Sequence, residues 1–246
     1  MEQVSLSDIE LYYSPEKIDN LLIKITGDEC HHIKDVMRHK ITDEIFVTDG
    51  NGSIYKTIIE QIDKKVITAR IIEEIKYSNK FENITFCIPR LKSSDRFDFA
   101  LEKCVELGIT EFIVFESERT IAKGDKTDKW EKHLIAAMKQ SLRAWLPKIS
   151  YVKNYDDLMK LNGKKIIFEQ NSEVSFNDFL KSQFSLLNTK YYFIFGPEGG
   201  LTREECRTGL ASPKGGSVEC RVKLTGNRLR SETAIVSAAA MLSLKM

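Results

Sequence analysis

Two segments near the end of the sequence combine residue types suited to ligand binding and proton chemistry. The first is the run 196–200, G-P-E-G-G, which directly follows the apolar stretch 191–195. Glycine lets backbone N–H and C=O groups approach a ligand without an intervening Cβ, and Pro197 stiffens the turn. The run matches neither G-x-x-x-x-G-K-S/T nor G-x-G-x-x-G, so a phosphate cradle is not favoured. A tight connection without a ligand is the alternative.

The second segment, 224–234, carries Arg228, Arg230 and Glu232 just before a predicted small-residue helix over 234–244. A guanidinium can stabilise negative charge that develops on a substrate oxygen, and a carboxylate can accept a proton. The structural alternative is that Ser231 caps the helix while Glu232 interacts favourably with the helix dipole.

The elements around these segments alternate between strand and helix from residue 84 onward. Apolar positions in 95–107 recur with helical spacing and predict one buried stripe. The alternation predicts an α/β fold with a mainly parallel sheet and ligands at the carboxyl ends of its strands. Thr202 and Glu205 form the S/T-x-x-E pattern of a helix start. The predicted strands are 84–88, 111–115, 164–168 and 191–195, and the predicted helices are 95–107, 129–144 and 234–244.

The N-terminal part has a different pattern. Runs rich in β-branched residues at 44–48, 53–60 and 65–73 predict three strands, the first two joined by the D-G-N-G turn at 49–52. Residues 28–38 fit one short helix. We therefore expect a small β-rich barrel domain over residues 1–75 and a larger α/β domain over 76–246.

Charge and composition narrow the class of protein. The net charge is +1, but residues 1–75 hold 9 Lys and Arg against 15 Asp and Glu, whereas residues 161–246 hold 12 against 8. Attraction to RNA would therefore come mainly from the later part. We expect no metal site, because no carboxylate or cysteine completes a ligand set around His31, His32 and His39. Without a signal segment or membrane span, we expect a cytoplasmic protein with no membrane partner.

The two C-terminal segments and three further motifs, in this order along the chain, resemble the 16S ribosomal RNA uridine-N3 methyltransferases of the SPOUT superfamily. The resemblance covers nearly the whole chain. Two departures are Arg228, one place later than in many members, and Ser231 in place of Thr. The further motifs are His32 with Val36, Met37 and Arg38 for H-x-x-x-V-L-R, 103–108 for K-x-x-E-L-G, and 140–147 for Q-S-x-R-x-x-x-P.

The resemblance implies a PUA-like N-terminal barrel and a C-terminal SPOUT domain with a deep trefoil knot. It also implies a homodimer that uses S-adenosylmethionine to methylate N3 of a uridine near the decoding centre of an assembled small subunit. Arg230 is our first candidate for stabilising charge on the uracil, and Glu232 and Glu198 are candidates for accepting the N3 proton. The candidate donor-binding residues are Phe195, Gly196, Pro197, Gly199, Gly200, Leu224, Gly226, Asn227 and Leu229.

Basic and polar residues in the matching motifs and nearby are candidate RNA contacts. Lys103 has an alternative, because Glu106 lies three positions later on the same predicted helix and can form an internal ion pair. The basic candidates can also be solvated surface charges. The candidate RNA contacts are Arg38, Lys92, Arg96, Lys103, Gln140 and Arg143.

Two other functions remain open at this point. A SPOUT ribose 2′-O-methyltransferase is disfavoured, because the start of the catalytic domain lacks an N-x-x-x-x-R-T segment. A non-catalytic RNA-binding assembly factor would retain the fold. Loss of the glycines or of Arg230 would favour that alternative, and this sequence retains both.

Overall fold

The structure is a computed structural model that describes residues 9–16, 21–182, 184, 189–211 and 218–245. Within these ranges the chain forms two compact units. One contains the described residues up to Asn79 together with Ile135–Leu146, and the other contains Lys80–Leu134 and those from Pro147 onward. The predicted combination of an N-terminal β-rich unit and a parallel C-terminal α/β unit is confirmed. The trefoil knot stays a prediction from the resemblance.

The first unit is built on a five-stranded sheet with strand order β1-β3-β4-β5-β2. Strand β1 runs parallel to β3, and the remaining neighbours are antiparallel. Alternate residues such as Ile23, Ile25, Val47, Ile59 and Ile67 face one core, as expected of a sheet with one buried face. The strands are β1 (Leu11–Tyr13), β2 (Leu22–Thr26), β3 (Glu44–Thr48), β4 (Ser53–Ile62) and β5 (Val66–Lys76).

The single helix predicted over 28–38 is wrong in its extent. An α-helix, α1 (Gly27–His31), passes into a π-helical turn at His32–Val36, and Arg38 has left the helical region with a φ of 61°. Only the first turns have a core to cover, because Cys30 and Ile33 are buried whereas Val36 and Met37 are exposed. An amphipathic helix is stabilised mainly by its buried face, so little favours its continuation here.

The second unit is built on a six-stranded sheet with order β11-β9-β10-β6-β7-β8. Every neighbouring pair is parallel, so all carboxyl ends meet at one edge. The strands are β6 (Ile84–Pro89), β7 (Glu111–Phe115), β8 (Lys148–Val152), β9 (Lys164–Phe168), β10 (Tyr191–Ile194) and β11 (Val218–Val222).

Helices cover this sheet, and α2 packs against α7. The stripe predicted for α2 is confirmed, since Phe97, Ala100, Leu101, Cys104 and Val105 are all buried. No helix in the described ranges is both long and apolar enough to cross a bilayer. The helices are α2 (Ser94–Glu106), α3 (Thr127–Gln140), α4 (Tyr155–Met159), α5 (Phe176–Ser182), α6 (Arg203–Ala211) and α7 (Ser231–Ser243).

Candidate functional site

A cavity of about 610 Å³ lies at the carboxyl edge of the parallel sheet, within the second unit. The loops that follow β9, β10 and β11 supply most of its wall, as expected for a ligand site in an open parallel sheet. Its volume is in the range of small-molecule sites. The lining residues are Arg96, Phe168, Glu169, Gln170, Phe195 to Gly200, Val222, Lys223, Leu224, Arg228, Leu229, Arg230, Ser231 and Ala234.

The glycine-rich turn after β10 forms one side of this cavity. Phe195, the first residue after the strand, is buried and stacks on Phe168 with ring centroids 4.4 Å apart. This aromatic pair anchors the turn to the neighbouring strand. The predicted capping box is present: the Thr202 amide donates to Glu205 Oε2 at 2.8 Å, and the Glu205 amide donates to Thr202 Oγ1 at 3.2 Å.

The close approach of the Gly200 and Leu201 backbone to residue 196 explains why this position favours glycine. A Cβ added there would lie 3.1 Å from the Leu201 amide nitrogen and 3.2 Å from the Gly200 Cα. The turn therefore closes back on itself so tightly that a side chain at Gly196 would require the neighbouring backbone to shift by a few tenths of an ångström. Gly200 differs, because a Cβ there would meet nothing within 4 Å but the residue has a φ of 69°, which favours glycine.

The arginine-rich segment before α7 forms another side of the cavity. Leu224, Leu229 and Arg230 line it, as do Arg228 and Ser231. Arg230 is the exposed residue at the N-cap position of α7 and has extended backbone torsions. The start of the helix therefore fixes the backbone position from which the Arg230 side chain extends.

Gly226 and Asn227 were predicted to bind the donor, but they lie outside the cavity lining. Both are exposed in a turn in which Thr225 Oγ1 donates to the Asn227 carbonyl at 2.8 Å. The Gln170 side chain donates to the Thr225 carbonyl at 3.3 Å. This turn coincides with the place where the sequence departs from the common family pattern.

The two candidate proton acceptors have different surroundings. Glu198 lines the cavity, and its Oε1 accepts a 2.9 Å hydrogen bond from the Lys92 amide. Glu232 is buried outside the lining, and its Oε1 lies 3.6 Å from Arg96 Nε. Its Oε2 is buried and has no hydrogen-bond partner among the described residues. Of these two candidates Glu198 is the one that lines the cavity, and Glu169 is a second glutamate in the lining.

Three of the candidate RNA contacts, Lys92, Arg96 and Lys103, belong to the second unit. Arg96 lines the cavity, and Lys92 contributes its backbone amide to Glu198. Lys103 forms ion pairs of 2.8 Å with Glu102 and 2.6 Å with Glu106, and hydrogen bonds to these carboxylates raise the pKa of Lys103. The internal pair considered as an alternative for Lys103 is therefore present.

The other three candidate RNA contacts belong to the first unit. Arg38, Gln140 and Arg143 are all exposed there. The three histidines considered for a metal site each lie beside a carboxylate, with distances of 2.6 Å for His31 and Asp35 and 3.1 Å for His39 and Asp43. His32 lies 3.3 Å from Glu10.

Sequence reasoning missed several cavity residues. Phe168 ends β9, a strand predicted with the observed bounds, and Glu169 and Gln170 follow it. The rule that ligands bind at carboxyl ends of parallel strands would have indicated them. Val222 and Lys223 belong to the edge strand β11 and its continuation, which the sequence pattern did not reveal.

Comparison with known proteins decides the family. Residues 78–243 match the model described as an RNA methyltransferase domain, and residues 25–72 match the RNA methyltransferase PUA domain. The chain belongs to this RNA methyltransferase family. The ribosomal RNA small subunit methyltransferase E of Aquifex aeolicus is 30% identical over 239 residues, which are 95% of this chain and 99% of that protein.

A further RNA methyltransferase of this group, from Rickettsia conorii, carries the same name and is 28% identical over 95% of this chain and 94% of its own. A solved structure of ribosomal RNA small subunit methyltransferase E from Neisseria gonorrhoeae is similar with a TM-score of 0.81 and 27% identity. That similarity covers 96% of this chain and 97% of the other. The Neisseria protein was crystallised with S-adenosylmethionine.

Proposed function

We propose that this protein transfers a methyl group from S-adenosylmethionine to N3 of a uridine in 16S ribosomal RNA. The observation that carries the proposal is that the glycine-rich turn and the arginine-bearing start of α7 line the same cavity. The uridine lies near the decoding centre of an assembled small subunit. We further propose that the protein works in the cytoplasm as a homodimer.

The cavity suits S-adenosylmethionine. Phe195, Pro197, Leu224 and Leu229 provide apolar wall, and the turn offers backbone groups beside them. Open space at Gly200, where an added Cβ would meet nothing within 4 Å, leaves room for a ligand against the backbone. Such sites combine an apolar lining with a few polar groups that fix orientation. When bound, the donor supplies an electrophilic methyl group on its sulfonium.

The protein's own residues must then make uridine N3 nucleophilic. N3 carries a proton, so its reaction requires removal of that proton and stabilisation of the charge that spreads to the two carbonyl oxygens of the uracil. We assign the second task to Arg230, which lines the cavity from a fixed helix start. We prefer Glu198 to Glu232 as proton acceptor, because Glu198 faces the cavity whereas Glu232 is buried beside Arg96.

Nucleoside mass analysis of 16S ribosomal RNA, from cells with and without the gene, tests the product. We expect N3-methyluridine to disappear on deletion and to return with the wild-type gene. Loss of a 2′-O-methyl nucleoside would instead favour a ribose methyltransferase. An unchanged nucleoside profile would favour a non-catalytic assembly factor.

Calorimetry with S-adenosylhomocysteine tests the site. We expect binding that a chelator does not change, because the proposed contacts are backbone groups and apolar side chains. Binding that disappears with chelator, or no binding at all, would contradict the site assignment.

A further inference from the structure

A short turn after β7, residues 117–120, forms a hydrogen bond to the glycine-rich turn, and the residue that donates it does not line the cavity. Residues 117–120 form a compact structure in which the Ser117 amide donates to Thr120 Oγ1 at 2.9 Å and the Thr120 amide donates to the Ser117 carbonyl at 3.0 Å. Ser117 and Thr120 are both buried. Arg119 projects from a turn that is itself fixed by hydrogen bonds.

Arg119 reaches the glycine-rich turn directly. Its Nη1 donates a 2.9 Å hydrogen bond to the Gly199 carbonyl. A Cβ added to Gly199 would lie 3.4 Å from Arg119 Cβ and 3.5 Å from its Cδ. The aliphatic part of Arg119 therefore lies along Gly199, and its charged end holds the carbonyl of the same residue.

A second contact joins the 117–120 turn to α6, the helix that follows the glycine-rich turn. The Glu118 amide donates to Glu205 Oε1 at 2.8 Å, while Glu205 Oε2 accepts from the Thr202 amide at 2.8 Å. Glu205 thus links the 117–120 turn to the beginning of α6. Adjacent residues therefore make separate contacts, Arg119 with Gly199 of the glycine-rich turn and Glu118 with Glu205 of α6.

We infer that Arg119 is a positioning residue for methyl-donor binding, which rests on the proposed function. Gly199 lines the cavity, whereas Arg119 is not among its lining residues, so Arg119 acts on the ligand through Gly199. A hydrogen bond from a cation to a carbonyl is stronger than a neutral one. It fixes the peptide plane on which the backbone contacts to the donor depend, and this reduces the ordering that binding requires.

The rival role for Arg119 is contact with RNA, since its side chain is exposed. The two roles differ in which substrate they affect. Loss of a positioning residue for the donor weakens donor affinity and raises the KM for the donor, with little change in kcat. Loss of a phosphate contact weakens RNA affinity and reduces its salt dependence.

The test uses Arg119→Met and Arg119→Lys in the full-length protein. Methionine keeps an unbranched stem along Gly199 but cannot donate, whereas lysine retains a cationic donor. Arg207→Ala is the control, because Arg207 is an exposed arginine on α6 outside the cavity lining. Calorimetry gives the Kd for S-adenosylhomocysteine, steady-state assays give kcat and the KM for the donor, and thermal melts check folding.

We expect Arg119→Met to weaken S-adenosylhomocysteine binding on the order of tenfold, in line with the loss of one charge-assisted hydrogen bond. Its donor KM should rise similarly, its kcat should stay within about threefold, and Arg119→Lys should recover part of the affinity. Arg207→Ala should bind like the wild type.

A Kd for Arg119→Met within about twofold of wild type, while the wild type binds normally, overturns the inference and leaves the proposed function intact. A lower kcat with an unchanged donor KM also overturns it. Failure of the wild-type protein to bind S-adenosylhomocysteine is a different result, because it removes the proposed function on which the inference rests.

Discussion

Glycines in the turn after β10 serve two different physical purposes. Gly196 lacks a side chain because the chain folds back against Leu201 and Gly200 at little more than 3 Å. Gly200 has free space around it, and its φ of 69° makes most side chains unfavourable there. The sequence predicted close backbone approach for the whole run, whereas the structure shows which glycine meets which requirement.

The first prediction distinguishes two effects of a side chain at Gly200, backbone strain from the positive φ and collision with the bound ligand. Asparagine adopts positive φ more readily than other non-glycine residues, whereas a β-branched residue is a genuine outlier there. We expect Gly200→Val, which adds backbone strain as well as bulk, to abolish S-adenosylhomocysteine binding, and Gly200→Asn, which adds mainly bulk, to weaken it less, as measured by calorimetry. Thermal melts of both variants serve as the folding control. Equal loss in both would mean that the side chain collides with the ligand, and that backbone strain is secondary.

The second prediction concerns Arg230, the arginine that precedes α7 and lines the cavity. A group that acts mainly in the transition state lowers turnover when removed and changes ground-state binding little. Arg230→Ala should bind S-adenosylmethionine nearly as the wild type does and lose about a hundredfold or more in single-turnover methylation. Arg230→Lys should recover only part, because an ammonium cannot reproduce two-pronged donation.

A phosphate contact is the competing role for Arg230. In that case Arg230→Ala would weaken RNA binding, with a smaller dependence of the remaining affinity on salt. If Arg230→Ala methylates within a few-fold of the wild-type rate at saturating RNA and donor, the catalytic assignment of Arg230 is wrong. Glu198 would then be the next residue to test.

At the scale of elements, buried strands inside the sheets were predictable and strands at the edge of the parallel sheet were not. Strands β3, β7 and β9 have the predicted bounds, since each is a run rich in apolar and β-branched residues. Strand β8 lies at a sheet edge, and Ile149 is the one side chain in it that is buried. Its sequence, K-I-S-Y-V, alternates between polar and apolar residues over only about four positions, the shortest run that predicts a strand.

The spacing of apolar residues in the sequence also did not predict the short helices or the π-helical turn. Helix α4 has only five residues and α5 seven, too few for helical spacing to repeat. In the site, the motifs predicted the glycine-rich turn and the start of α7, whereas Glu169 and Gln170 belong to no motif. They line the cavity because of the strand they follow, which is a property of the topology.

The third prediction compares two basic residues of α2. Arg96 lines the cavity, whereas Lys103 is engaged by Glu102 and Glu106 on its own helix. We expect Arg96→Ala to weaken RNA binding by severalfold and Lys103→Ala to change it less than twofold, in filter-binding titrations at one salt concentration. The same loss for both variants would show that Lys103 exchanges its internal partners for RNA.

At the scale of the whole molecule, candidate RNA contacts are present in both compact units. Arg38, Gln140 and Arg143 belong to the first unit, and Arg96 belongs to the second. The first 75 residues nevertheless carry 9 basic against 15 acidic side chains. Long-range attraction is therefore expected from the second unit, and local contacts from the first.

The fourth prediction is that the protein is a dimer and that the dimer is the active form. Helix α7 buries Ile235, Ala238, Ala239 and Leu242 within its own subunit. Val236 and Ala240 are only partly buried, and these small side chains leave the other face of the helix suited to close packing against a second copy. We expect light scattering at low micromolar concentration to give the mass of two chains.

Activity should depend on this association, because α7 begins at the cavity and carries Arg230 at its N-cap position. Ala240→Glu places a charge on the partly exposed face, where burial without a partner is costly. This variant should stay folded in thermal melts, run as a monomer and lose methylation. Specific activity of the wild type should likewise fall on dilution below the dissociation constant of the dimer. A monomeric wild-type protein with full activity per chain would show that the cavity is complete within one subunit.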